Sequence, residues 1–146
     1  MSASANEILE YCSSLSTEQL EDYAWRNYRI LEDYFHDSLN YSYTELVDIF
    51  LEHFVLFCAM DASLSEEEWG IIRACLGLSE YDRDSVEKKV RRLRLERSVT
   101  KTKRFCYDLP RDEREAFVCV AMSFLVADGR FNNAEYLLLG ELLTTM

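Results

Sequence analysis

Residues 126–139 read VADGRFNNAEYLLL, two apolar runs on either side of a polar turn. One apolar run enters Asp128-Gly129, a turn follows, and a second apolar run leaves from Asn132. Gly129 suits the left-handed position that closes a helix. Asn132 can cap the next helix, with Glu135 at its third position. The stretch is therefore a helix stop, a turn and a helix start.

Working outward, the same pattern stands 67 residues earlier, where residues 59–72 read AMDASLSEEEWGII. Asp61 matches Asp128, Leu64 matches Phe131, Ser65 matches Asn132 and Glu68 matches Glu135. Both copies have the form Asp-x-x-apolar-polar-x-x-Glu between apolar helical runs, an internal repeat of a helix–turn–helix unit. The first copy has Ala62 where the second has Gly129.

Extended to Leu109–Leu143 and Glu45–Ser79, the two copies resemble the tellurite-resistance TerB-like family. The resemblance runs from about residue 42 to residue 146 and leaves the first 40 or so residues outside it. It implies an all-helical domain of two pseudo-symmetric halves, and a divalent-cation site (Ca²⁺ or Mg²⁺) at the acidic turns. On this chain the ligands would be Asp61, Glu68, Asp128 and Glu135. It also implies a non-catalytic module acting by protein contact in a bacterial stress-response assembly.

The residues themselves leave that cation site open. Ser65-x-x-Glu68 and Asn132-x-x-Glu135 are capping signatures, and Asp61 and Asp128 can bond free N–H groups of their own turns. Neither turn has the 12-residue loop of an EF-hand. Any cation here would be weakly held and mostly hydrated.

The chain has 146 residues, 49% of them hydrophobic, one Pro and four Gly. That suits one all-α domain over residues 1–146, a compact bundle of about seven or eight helices. Residues 1–40 form a helical extension, and residues 42–146 form the core.

A helix is expected over 4–14, and a longer one from Ser16 or Thr17 to Leu39. Ser42-x-x-Glu45 is a capping box that opens a helix to Met60. The next runs from Ser65 to its closing glycine, Gly77. A polar connection over 79–84 leads to a helix over 84–98 with Val86, Val90 and Leu93 on one face, then a shorter helix to Tyr107. Pro110 fits the first position of the helix that ends at Ala127. The last helix spans Asn132 to Thr144.

The formal net charge is −11, which disfavours nucleic-acid binding in general. The first ten residues carry two Glu and no Lys or Arg, so they do not read as a secretory signal, and the apolar runs are too short for a membrane span. The expected location is cytoplasmic. Five cysteines without a CxxC pair read as buried thiols. His36 and His53 stand at no metal-ligand spacing. Six of the nine tyrosines lie in residues 11–43, which marks the N-terminal helices as core-packing elements or as the contact of a homodimer.

Charge is unevenly placed. Residues 88–104, KKVRRLRLERSVTKTKR, hold nine bases and one acid, so the remainder carries a net −19. Lys88, Arg91, Arg92, Arg94 and Arg97 are the candidate anion- or partner-binding residues. Three readings stand: a helix face solvated or turned to the chain's own acids, a surface for phosphate, nucleic acid or an anionic membrane, or a surface for an acidic protein. No aromatic interleaves before Phe105, so stacking of single strands is unsupported. No nucleophile elbow, phosphate loop, zinc-protease or dinucleotide motif occurs, and the expectation is a protein that is not an enzyme.

Overall fold

The computed structural model describes residues 5–59 and 63–127. Among them every regular element is helical: α1 Ala5–Ser13, α2 Thr17–Asp33, α3 Tyr43–Ala59, α4 Glu66–Leu76, α5 Arg83–Arg92, α6 Leu95–Tyr107 and α7 Arg111–Val126. Asp61, the second acidic turn from Asp128, and the expected helix from Asn132 lie outside the described residues. Of the second copy, only α7 and the residues beside it, 109–127, are described.

Local chemistry sets most of the boundaries. At the start of α2, Ser16 and Gln19 bond each other's backbone N–H at 2.9 and 3.2 Å. Ser42 and Glu45 do the same before α3, both at 3.1 Å. Each pair satisfies two N–H groups that a helix start leaves open. The end of α2 is looser. Tyr34–Ser38 continue it as a π-turn. His36 Nδ1 donates to the Tyr41 carbonyl at 2.8 Å, and Asn40 takes φ +60°, a region Asn tolerates better than most residues. The wide turn seats Phe35 in the core and leads the chain into α3.

α3 is the central helix. From Phe50 to Ala59 only Glu52 is exposed, and α3 packs against α4, α5, α6 and α7. On the other side α2 packs on α7 and α4, and α1 on α7. An aromatic cluster joins these layers. The Phe54 and Phe124 ring centroids are 4.9 Å apart, Tyr28 meets Phe50 edge-on at 5.1 Å, and Phe35 stacks on Phe105 at 5.8 Å. Edge-on and offset contacts suit the ring quadrupoles. All five cysteines are buried free thiols.

Gly77 ends α4 at φ +66°, and its N–H donates to the Arg73 carbonyl at 2.9 Å. A Cβ there would touch nothing within 4 Å, so the demand for glycine is conformational rather than steric. Gly77→Ala is expected to cost about 1 kcal/mol, read from the urea midpoint, because an L residue is disfavoured in the left-handed region. An unchanged midpoint would show that the turn re-forms with another geometry.

Two helices cover 83–107, as expected, but the break expected near Ser98 falls earlier, at Leu93-Arg94, both extended, with ψ of 137° and 102°. No Gly or Pro marks the place. The reason is helical phase. At about 100° per residue, Val99, Thr102 and Cys106 would lie almost opposite Val86 and Val90 on a straight helix. Yet Val86, Val90, Thr102 and Cys106 are all buried, and Val99 packs against the core. Only a bend lets both sets face inward. Pro110 also sits one position earlier than expected, as the residue before α7 rather than its first.

Candidate functional site

The bend builds a groove. Its volume is about 630 Å³, and its walls are one face of α3, one flank of α5 and the start of α6. Asp48, Leu51, Glu52 and Val55 form the α3 wall at steps of three and four residues. Leu51, Val55 and Leu93 supply an aliphatic floor.

The opposite wall is cationic: Lys88, Lys89 and Arg92 from α5, Arg94 from the break and Arg97 from α6. Val86 and Val90 pin α5 to the core at 1% and 3% exposure, which fixes the rotation of the helix. With those two inward, Ser85, Lys89 and Arg92 fall toward one flank, Glu87 and Arg91 toward the other, and Lys88 lies on the outward ridge between them. Of the five bases expected to act together, Lys88, Arg92, Arg94 and Arg97 converge on the groove. Arg91 does not. Its guanidinium instead pairs with Glu87 at 3.8 Å. Lys89 completes the cationic wall; the sequence carries it in the basic run, but only the rotation of α5 shows which way it faces.

Among the described residues none of the five groove bases makes an ion pair. The two acids that line the groove stand on the α3 wall. Glu52 bonds Lys101 at 2.7 Å, and Asp48 lies on the α3 wall. Beside the Glu52–Lys101 rung is a second one, His53 Nδ1 to Thr102 Oγ1 at 2.7 Å, buried. The two rungs hold α6 against α3 and so hold the end of the groove. A third set of contacts fixes the entry to α5. Arg83 bridges Glu66 and Glu80, and Glu80 accepts a bond from Trp69 Nε1 at 3.1 Å. These bonds and the Arg83 charge hold the Glu80 carboxyl below its usual pKa.

The acidic-turn candidates are placed only in part. Glu68 is 1% exposed at the start of α4. Its Oε1 accepts the Ser65 N–H at 2.9 Å, and its own N–H donates to Ser65 Oγ at 3.1 Å, the reciprocal cap. Asp61, Asp128 and Glu135 lie outside the described residues, so Glu68 is the one member of the four that is placed. Among the described residues no cluster of three or more His, Cys, Asp or Glu side chains could hold a metal ion.

His53 is 3% exposed, and burial lowers its pKa to about 4. It is a neutral core imidazole. No helix among the described residues is long and apolar enough to cross a membrane.

Over the described residues, the fold and groove together define an α-helical domain that carries a cationic, aliphatic-floored cleft. No protein-family model, curated protein or solved structure matches the chain.

Proposed function

We propose that this chain is a non-catalytic binding module whose working surface is the α3–α5–α6 groove, and that its ligand carries a compact negative charge. The observation that carries this reading is the convergence of Lys88, Lys89, Arg92, Arg94 and Arg97 on one cleft with no ion-pair partner among the described residues. Like charges held close repel one another, and an anion in the cleft relieves that repulsion. The start of α6 adds to it, since helix N–H groups there favour negative charge.

An extended polyanion fits less well. Outside residues 88–104 the chain carries −19, which repels a nucleic-acid duplex or an anionic membrane plane beyond the cleft itself. Membership of the TerB-like family stays within the proposal and rests on the repeated acidic-turn motif. So do a bacterial stress-response role and a weak divalent cation at Asp61, Glu68, Asp128 and Glu135; a cytoplasmic location belongs to the proposal on the acidic charge and the five free thiols. A protein contact or homodimer through the N-terminal helices draws support from the exposure of Tyr11, Trp25 and Ile30.

The test is thermal unfolding with inorganic pyrophosphate. A ligand of the native state raises stability by about 2.7 kcal/mol at 100 times its Kd. The rise is expected in the wild type, weaker at high salt, and lost in Arg94→Glu with Arg97→Glu. Arg91→Ala is expected to leave it intact, because that side chain is off the groove. No rise at low salt, or equal loss with Arg91→Ala, would sink the proposal.

A further inference from the structure

We infer that the groove takes an anionic amphiphile: a phosphate or carboxylate head on an aliphatic body. This rests on the groove being an anion site and adds the chemistry of the rest of the ligand. A cleft built only to hold a small anion needs no apolar floor. This one has Leu51, Val55 and Leu93 beneath the cations, and no aromatic side chain among the residues that line it. A nucleobase therefore has no face to stack on. An aliphatic body has the half-buried Leu93 and the edges of the buried Leu51 and Val55 to cover.

The charges orient that body. The cations stand on α5, the break and α6, whereas the α3 wall carries Asp48 and Glu52. A ligand negative along its whole length would meet those acids. One negative at a single end sets its head among Arg92, Arg94 and Arg97 and lays its uncharged part along the floor. The volume of about 630 Å³ lies inside the roughly 300–1,000 Å³ of small-molecule sites. The groove is also short, because Asp48 to Val55 spans only about 10 Å at 1.5 Å per residue.

The experiment is isothermal titration of the full chain with three probes: decyl phosphate below its micelle concentration, inorganic phosphate, and decyl glucoside. Decyl phosphate is expected to bind at least tenfold more tightly than either of the others. Arg94→Glu with Arg97→Glu should reduce it to the level of the glucoside. Val55→Thr should weaken decyl phosphate several-fold and leave inorganic phosphate unchanged; Leu93→Gln, at a half-buried position, serves the same purpose if Val55→Thr does not fold.

Equal affinity for decyl phosphate and inorganic phosphate would overturn the amphiphile and leave the anion groove standing. Equal affinity for decyl phosphate and decyl glucoside, unmoved by the double arginine variant, would overturn both. Sedimentation with phosphatidylglycerol vesicles separates a lipid head group in a membrane from a free amphiphile. Capture by vesicles without binding of monomeric decyl phosphate would overturn the inference in favour of a membrane surface.

Discussion

Phe54→Ala is expected to lower the free energy of unfolding by about 3–5 kcal/mol, the usual cost of removing a fully buried phenyl ring. Phe54 is 0% exposed. Its ring lies 4.9 Å from Phe124 on α7, 6.0 Å from Tyr28 on α2, and 6.1 and 6.3 Å from Phe50 and Phe57 on its own helix. Its loss would leave a cavity between three helices, and α3 cannot close it without giving up contacts with the others. A domain of this size has roughly 5–15 kcal/mol in all, so the change is a large fraction of the total. The measurement is a urea melt with an unchanged slope and a lower midpoint. Tyr81→Ala is the control: at 97% exposure it should stay within about 0.5 kcal/mol. A loss below about 1 kcal/mol for Phe54→Ala would mean that these rings do not pack as one core.

The second large effect is on pH dependence. His53 ionises at about 4 in the fold against 6.5 in the open chain, because burial penalises the imidazolium. Between those two values the unfolded chain binds a proton that the native state does not. Stability must therefore rise with pH through that window and fall as pH drops from 6.5 toward 4. The gap corresponds to about 3 kcal/mol, at roughly 1.4 kcal/mol for each pH unit. Carboxylates titrate near the lower end, so the expected signature is a difference. His53→Leu should flatten the wild-type profile between about pH 6.5 and 4 and leave the slope at higher pH alone. Parallel profiles for the two proteins would show that the imidazole is already reached by water in the folded chain.

What the sequence made legible follows from how local each signal is. The caps at Ser42 and Ser65 and the closing Gly77 could be read directly, since a cap involves only residues three or four apart. The break at Leu93-Arg94 could not be read from turn residues, because RRLRLER, residues 91–97, contains no Gly, Pro, Asn, Asp or Ser. Its signal lay in the mismatch between the apolar phase of residues 86–90 and that of residues 99–106, which a search for helix ends passes over. The groove inherited the same difficulty. A run of bases was plain, yet sorting Lys89 into the cleft and Arg91 out of it requires the rotation set by Val86 and Val90. The stretch that carried the first reading, residues 126–139, falls almost wholly outside the described residues. The repeat therefore remains an argument from sequence.

The five buried thiols make the chain a reporter of its own opening. Burial pushes Cys12 up to about 12 and raises Cys75 and Cys119 as well, and Cys58 and Cys106 are fully enclosed. A thiolate is the reactive form, so each sulfur is silent while its helix stays docked. Cys12 on α1, Cys58 on α3, Cys75 on α4, Cys106 on α6 and Cys119 on α7 distribute these silent positions over five of the seven described helices. The order in which they become alkylated is the order in which the bundle comes apart, and no label has to be engineered to read it.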